Sequence, residues 1–307
     1  MRTGLLIYNP ESGDRRVPKM LDDLLAYGLG LGLVLVPYRL GIGDASGGAV
    51  AVNRLNGDNL LMQLILAPWT EFAIVSGGDG TLSSVSELIY YNRPDLPVGF
   101  IPSGTCNDFA NSLRLPQDER ECIGIVAAGN TTQIDVGCVD GGRIFLSACA
   151  AGMFVKISYS TDSFLKKSIG PLAYYFSALG ELPNIKPFSL MVETESEAVD
   201  GNFLLFLLIN GDRAAGLANL YSKAVMTDGY MDLMLIRDVP PLELPNLFGE
   251  LLNRESIDAG QWFRRLRASR FKFTGPNGIL TTLDGEEGPQ IPIEVEVLPG
   301  ALKVFTR

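Results

Sequence analysis

Residues 72–81, Phe-Ala-Ile-Val-Ser-Gly-Gly-Asp-Gly-Thr, constrain the fold more than any other stretch of the chain. The apolar run 72–75 has the length of a buried parallel strand. Ser76 and three glycines then surround one carboxylate, Asp79. Thr81, Leu82, Val85, Leu88 and Ile89 follow at helical spacing. Strand, glycine loop and helix start together form a receptor for phosphate. Backbone N–H groups near a helix N-terminus face the anion, and glycines let it approach. No Gly-Lys-Ser/Thr follows, so this is not a P-loop, and the glycine spacing is not that of a dinucleotide fingerprint. A carboxylate beside phosphate is repulsive unless a cation such as Mg²⁺ lies between them. The competing local reading is a β-hairpin, for which Asp-Gly is a strong signal. The helical periodicity after Thr81 favours the strand–helix reading.

The flanking sequence repeats the same arrangement. Strands are expected at 5–8, 33–36 and 97–101. Helical stripes follow, at Met20, Leu21, Leu24 and Leu25, after Gly43-Asp44-Ala45, and from about Phe109. Alternating strands and helices predict a doubly wound parallel sheet, whose ligands lie beyond the C-terminal strand ends. Three such ends carry small polar loops, 9–13, 76–81 and 103–108. After about Thr132 the pattern changes to strands at 134–139, 143–148, 187–193, 203–210, 231–236, 271–274, 278–283, 293–298 and 302–305. Turns such as Asp140-Gly141-Gly142 and Pro276-Asn277-Gly278 separate several of them. The expected fold is therefore a doubly wound nucleotide-binding α/β domain over 1–132 and an antiparallel β-sandwich over 133–307, with helical insertions near 163–182 and 242–253.

Composition removes several classes of function. Net charge is −10, which argues against general nucleic-acid binding. No apolar stretch reaches the length of a membrane span, and Asn9, Pro10 and Glu11 interrupt any signal peptide, so a cytoplasmic location is expected. The four cysteines, Cys106, Cys122, Cys138 and Cys149, are too widely spaced for a zinc knuckle. The chain has no histidine, so Ser-His-Asp and Cys-His catalysis are excluded and acid–base chemistry falls mainly to carboxylates.

Each candidate has a structural alternative. In Ser103-Gly104-Thr105-Cys106-Asn107-Asp108, Thr105 and the loop N–H groups suit phosphate and Asp108 a metal-bound water; the alternative is a helix N-cap. Arg15 and Arg16 follow a strand-end loop and suit nucleotide phosphates, or else a solvated helix start. Asp228-Gly229 and Asp284-Gly285 read locally as turns, although Asp284-Gly285-Glu286-Glu287 gathers acid late in an apolar β region. Residues 262–273 interleave aromatic and basic side chains, which suits an anionic membrane surface or an amphipathic strand exposing Arg270 and Lys272. Lys166 and Lys167 are further candidates for membrane contact.

Taken together these segments resemble the soluble diacylglycerol/lipid kinases of bacteria, relatives of the eukaryotic diacylglycerol, sphingosine and ceramide kinases. The resemblance runs nearly end to end, through Asn-Pro-Glu-Ser-Gly at 9–13, Gly-Gly-Asp-Gly-Thr at 77–81, Pro-Ser-Gly-Thr-Cys-Asn-Asp-Phe-Ala at 102–110, Ile-Asp-Val-Gly at 134–137, Asp-Gly-Tyr-Met-Asp at 228–232 and Leu-Asp-Gly-Glu at 283–286. Gly-Gly-Asp-Gly-Thr alone also occurs in NAD kinases and phosphofructokinases. The resemblance implies ATP held by Asn9, Gly13, Arg16, Gly77, Gly78, Asp79, Gly80, Thr81, Leu82, Ser83, Gly104, Thr105 and Asn107. It places Asp79, Asp108 and Asp284 in a catalytic metal–phosphate network, with Asp79 and Asp108 as Mg²⁺ ligands. It makes Glu286 the general base. Were the 284–286 segment extended, Asp284 and Glu286 would share one face. It also implies a structural Mg²⁺ on the Asp228 carboxylate and the carbonyls of Val225 and Tyr230.

Two departures from the family are expected. Arg39 or its neighbours stand where some members place a threonine, and a C-terminal segment that returns to the first domain is expected to be missing. The implied function is ATP- and Mg²⁺-dependent phosphorylation of a lipid hydroxyl, that of diacylglycerol first. The expected partners are a membrane lipid met by transient peripheral contact at the inner face of the membrane, and a second copy of the chain. Two other readings stay open: an NAD kinase-like small-molecule kinase, and a non-catalytic lipid- or nucleotide-binding regulator.

Overall fold

A computed structural model of the chain describes residues 1–13, 15–41, 59–152, 186–214, 216–218, 225–243, 246–247 and 262–307. The chain divides into two compact units, Met1–Val136 with Pro299–Arg307, and Gly137–Leu298. The expected insertion at 163–182, with Lys166 and Lys167, lies outside the described residues, as do most of 242–253 and the helix start at 43–45.

Unit 1 is built on four parallel strands, β1 (Arg2–Tyr8), β2 (Leu33–Arg39), β3 (Phe72–Gly77) and β4 (Val98–Pro102), in the order β4-β3-β1-β2. Its helices are α1 (Arg16–Lys19), α2 (Leu21–Gly30), α3 (Asn59–Leu66), α4 (Asp79–Asn92), α5 (Asp108–Ser112) and α6 (Glu119–Ala128). Every residue of β3 and β4 is buried, as expected of central strands covered on both faces. Alternation along the strands decides which helix covers which face. Leu6, Phe72 and Ile74 pack with Leu24 of α2 and with Ile123 and Val126 of α6. Leu5, Ile7, Ala73 and Val75 therefore face the other way, and α4 lies against β3 with Leu82, Val85, Leu88 and Ile89 buried. Helix α6 has capping residues at both ends: the Asp118 carboxylate accepts from the N–H groups of Arg120 and Glu121, and Gly129 closes the helix at φ 83°.

The C-terminal segment does return to unit 1, against expectation. Val304 pairs in parallel with Val98 of β4, and the Phe305 ring meets Phe72 edge-on at 6.2 Å. The apolar alternation of Leu302, Val304 and Phe305 reflects this burial. The unit boundary falls at Val136/Gly137, and Pro299–Arg307 belongs with the first unit.

Unit 2 contains β5 (Thr131–Val139) from Gly137 on, followed by β6 (Arg143–Phe145), β7 (Ala148–Gly152), β8 (Phe188–Glu193), β9 (Ala198–Ile209), β10 (Arg213–Ala214), β11 (Leu217–Ala218), β12 (Met231–Arg237), β13 (Phe263–Ala268), β14 (Arg270–Thr274), β15 (Leu280–Leu283), β16 (Glu286–Gln290) and the start of β17 (Ile293–Phe305). Its pairings are antiparallel. Strand β9 organises them: it pairs with β8 along its first half, with β7 along its second, and with β12 on its other edge. The core includes Leu190, Phe206, Leu208, Leu233, Phe271, Phe273 and Val295, with Phe206 stacked on Phe273 at 4.5 Å. Truncating either ring to alanine would cost about 3–5 kcal/mol.

Several expected strands have different limits. The expected 143–148 strand breaks at Leu146-Ser147. The 293–298 and 302–305 strands are one, and 286–290 forms a strand that the sequence did not suggest.

Candidate functional site

The three polar loops at the strand ends of unit 1 come together. Asn9, just past β1, donates from Nδ2 to the Thr81 hydroxyl at 3.2 Å, and its N–H donates to the Ser76 carbonyl. The Ser12 hydroxyl donates to the Ser103 carbonyl at 3.0 Å. The Ser103 hydroxyl lies 3.3 Å from that of Ser12 and 3.4 Å from that of Ser76. A cluster of hydroxyls thus sits at the C-terminal ends of β1, β3 and β4, where parallel sheets bind ligands.

The glycines permit this convergence rather than lying open. A side chain on Gly13, itself at φ 53°, would meet the Ser103 carbonyl oxygen at 2.1 Å. One on Gly104 would meet the Cα of Gly78 at 2.5 Å, and one on Gly77 would strike Thr81. Any residue with a Cβ would force these loops apart.

Asp79 joins two of the loops. It opens α4 as the first-turn acid, where the helix dipole favours negative charge. Its Oδ2 accepts the N–H of Asp108 at 3.1 Å and its Oδ1 that of Phe109 at 3.0 Å. The Asp79-Gly80 pair is therefore a helix start and not a hairpin turn. The 103–108 loop also closes on itself: Asn107, at φ 51°, accepts from the Gly104 N–H and donates to the Gly104 carbonyl. Asp108 and Asn107 are buried, whereas Thr105 is exposed and presents its hydroxyl to solvent.

Not every expected ligand fits. Leu82 is 1% exposed and its N–H is committed to the Gly78 carbonyl, so it is a core residue and does not serve a ligand. Ser83 is likewise buried in α4. Arg16 Nε lies 3.3 Å from the buried carboxylate of Glu119, and Arg15 pairs with Glu11. Both guanidinium groups face acid in their own unit, so the solvated-helix reading describes them better than phosphate neutralisation does.

In unit 2, Asp284-Gly285 is the two-residue turn joining β15 to β16, with Leu283 opposite Glu286. Both turn residues are left-handed, at φ 50° and 85°. The expected extended geometry is therefore corrected: Asp284 and Glu286 do not share a strand face. Asp284 is instead clamped to the chain between β6 and β7. Its Oδ2 accepts the Leu146 N–H at 2.7 Å, and its Oδ1 accepts those of Ser147 at 2.7 Å and Ala148 at 2.9 Å. Its own N–H donates to the Ala148 carbonyl at 2.8 Å. This clamp explains the strand break at 146–147, because those N–H groups leave the ladder to satisfy one carboxylate. Glu286 follows at the half-buried start of β16.

Sequence reasoning missed Asn210. It ends the apolar β9 and is 1% exposed. Its N–H donates to the Ser147 carbonyl at 2.8 Å and its Nδ2 to the Leu146 carbonyl at 2.9 Å. The available signal was a lone amide closing the run Phe-Leu-Leu-Phe-Leu-Leu-Ile, since a buried polar group needs hydrogen-bonding partners.

The fit of the residues to metal differs between the units. Among the described residues no three Asp, Glu, Cys or His side chains are grouped to hold a metal ion. Mg²⁺ needs no such cage, because it takes one or two carboxylates and completes its shell with water and substrate phosphates. Asp79 and the Asp108 beside it supply that donor set. The Asp228 loop fits a metal poorly. Its Oδ1 accepts the Tyr230 N–H at 3.1 Å, and its Oδ2 pairs with Arg267, whose guanidinium stacks 5.5 Å from the Tyr230 ring centre. A guanidinium already stands on the carboxylate that the ion would need. Val225 and Tyr230 are exposed.

The basic stretch 262–273 is neutralised in the same manner. Arg264 pairs with Glu197 and Arg270 with Glu296, and Lys272 stands between Glu193 and Glu294 in register. Cys138 and Cys149 are buried and in no disulfide, and burial with the nearby Glu119 pushes the Cys122 thiol up to about 12.

The diacylglycerol kinase catalytic domain family matches residues 3–139, and the YegS C-terminal NAD kinase beta sandwich-like domain matches 147–306. A diacylglycerol kinase of Staphylococcus saprophyticus is 32% identical over 304 residues, covering 98% of this chain and 94% of that protein. One from Staphylococcus aureus is 31% identical over 302 residues, covering 98% and 91%. The crystal structure of a diacylglycerol kinase from Bacillus anthracis superposes with a TM-score of 0.76 at 20% identity, covering 100% of this chain and 97% of that one.

Proposed function

The chain belongs to the diacylglycerol kinase family, and from that premise we propose that it transfers the γ-phosphate of ATP to a lipid hydroxyl, diacylglycerol giving phosphatidic acid. The observation that carries this reading is the convergence of the 9–13, 76–81 and 103–108 loops at the sheet's C-terminal edge. Phosphoryl transfer asks a protein mainly for positioning and charge stabilisation. Unit 1 supplies both. The N-terminus of α4, at Asp79-Gly80-Thr81, points its backbone N–H groups and the positive end of the helix dipole toward an anion. Thr105 offers an exposed hydroxyl. Gly13, Gly78 and Gly104 hold the loops at contact. Asp79 and Asp108 would hold Mg²⁺, which when bound neutralises phosphate oxygens as charge moves to the leaving ADP.

Glu286 is the proposed base. The acceptor hydroxyl oxygen bonds to the γ-phosphorus as the bond from that phosphorus to the bridging oxygen breaks, and its proton passes to the Glu286 carboxylate and on to water. With no histidine in the chain, a carboxylate is the natural candidate for that role. Asp284 is unsuited to it, because three N–H groups already hold its charge.

The acceptor lipid lives in a bilayer, and among the described residues no helix is long and apolar enough to cross one. Transient peripheral contact is therefore the proposed mode of access. Within residues 262–273, Arg264, Arg267 and Arg270 are already paired with Glu197, Asp228 and Glu296, which weakens that stretch as a membrane contact. The test is radiolabelled ATP against diacylglycerol, ceramide and sphingosine in mixed micelles, with NAD and sugar phosphates alongside. Label in phosphatidic acid supports the reading. Label only in NADP or a sugar diphosphate, or in nothing, overturns it.

A further inference from the structure

Asn210 lies outside the reacting groups, yet it begins a chain of hydrogen bonds that ends beside Glu286. Its N–H and its amide Nδ2 grip the carbonyls of Ser147 and Leu146 at 2.8 and 2.9 Å. The N–H groups of the same segment, with that of Ala148, all point at the Asp284 carboxylate. Asp284 returns its own N–H to the Ala148 carbonyl and is the first residue of the turn that delivers Glu286. Peptide groups of 146–148 are thus held from their oxygens on one side and from their nitrogens on the other.

We propose that Asn210 is a positioning residue for Glu286, acting through the 146–148 segment and Asp284. The inference rests on Glu286 being the general base. Three features of the molecule favour it over a merely structural role. Asn210 is 1% exposed at the end of an apolar strand, where desolvating an amide is costly. Its N–H and its Nδ2 both bond the one segment whose N–H groups bind Asp284. At the turn, Gly285 is exposed with nothing within 4 Å of the place a Cβ would take, so no side-chain packing holds the tip there, and the contacts that hold it run from the Asp284 carboxylate to residues 146–148. Without the 146–148 anchor the hairpin tip would be free to shift, and a displacement of about 1 Å can cost about 10²-fold in rate.

The test is a double-mutant cycle on the full chain with ATP and dioleoylglycerol in mixed micelles, far below the melting temperature. Asn210→Ala should lower kcat by between about 10- and 100-fold, with KM for ATP within about twofold of wild type. In a Glu286→Gln background the same change should cost less than about threefold, because the base it positions is gone. A core variant of similar melting temperature, Phe206→Leu, sets the baseline for general softening. If Asn210→Ala is too unstable, Asn210→Ser keeps a small polar group and is run through the same cycle. An equal loss in both backgrounds makes Asn210 structural only and overturns the inference while Glu286 keeps its role. A Glu286→Gln enzyme with wild-type kcat overturns the role of Glu286, and the inference falls with it. An unchanged kcat in Asn210→Ala and Asn210→Ser overturns the inference alone.

Discussion

Asp79 and Asp284 occupy the same dipeptide, Asp-Gly, in the two units, and the chain uses them in opposite conformations. Asp79 starts a fourteen-residue helix; Asp284 starts a two-residue hairpin turn at φ 50°. Yet each carboxylate does the same work on a neighbouring segment: Asp79 accepts two successive N–H groups at the start of α5, and Asp284 accepts three from the segment before β7. The difference lies in what remains available. Asp79 has a second carboxylate-bearing residue, Asp108, bonded to it and a cluster of hydroxyls nearby. Asp284 is surrounded by donors already committed to it. The same dipeptide therefore suits a metal–phosphate role in unit 1 and an anchoring role in unit 2. Sequence similarity alone had given both aspartates one role.

Substitutions sharpen or break this contrast. The largest loss is expected at the residue Asp284 serves. Glu286→Gln should lower kcat by about 10²–10⁴-fold with ATP affinity by calorimetry nearly intact; turnover within a few-fold of wild type would move the base elsewhere. Asp79→Asn should lower turnover by about 10²–10³-fold and shift the Mg²⁺ titration to higher concentration. A loss that Mg²⁺ does not touch would reduce Asp79 to the same anchoring role as Asp284. Asp284→Asn keeps one acceptor and turns an amide NH₂ toward N–H donors, so it should cost about 1–3 kcal/mol of stability without altering the Mg²⁺ dependence. Urea melts of the two variants, side by side, test whether the aspartates differ as described.

Smaller effects test the surroundings. Chelation by EDTA should leave the melting temperature unchanged, because Arg267 already stands on Asp228, whereas Arg267→Met should lower it by a few degrees, as befits the loss of about 1 kcal/mol in a partly exposed pair. A melting temperature that falls in EDTA for the wild type but not for Asp228→Ala would restore a metal to that loop. The smallest expected effect is on thiols. A thiol raised to about 12, like that of Cys122, stays protonated from neutral pH to well above 9, and only the thiolate alkylates. Iodoacetamide at pH 8 should therefore leave Cys122 unmodified until the protein unfolds.

The contrast also shows which parts of the molecule the sequence made legible. The parallel strands of unit 1 and their three ligand-facing loops could be read, because strand, glycine and helical stripe are neighbours in the chain. Partners distant in sequence could not. Nothing near Arg16 announces Glu119, and nothing near Asp228 announces Arg267. The break at Leu146-Ser147 depends on a carboxylate 137 positions away. Asp284 and Glu286 seemed to share a face because alternation assumes an extended backbone, and the Asp-Gly turn signal, present all along, outweighs it. The apolar residues of 302–305 were visible as a strand, but the sheet they join was not, since a strand's period gives its faces and not its neighbours.

That last strand has a consequence for the order in which the molecule is made. Unit 1 is discontinuous: Met1–Val136 is synthesised first, and Pro299–Arg307 only after the whole of Gly137–Leu298. Val98 is left without its parallel neighbour Val304, and Phe72 without the ring of Phe305, until those two residues emerge. Domains usually fold in the order of synthesis. Here the first unit begun is expected to be the second completed, with the continuous second unit free to form before Pro299–Arg307 is made.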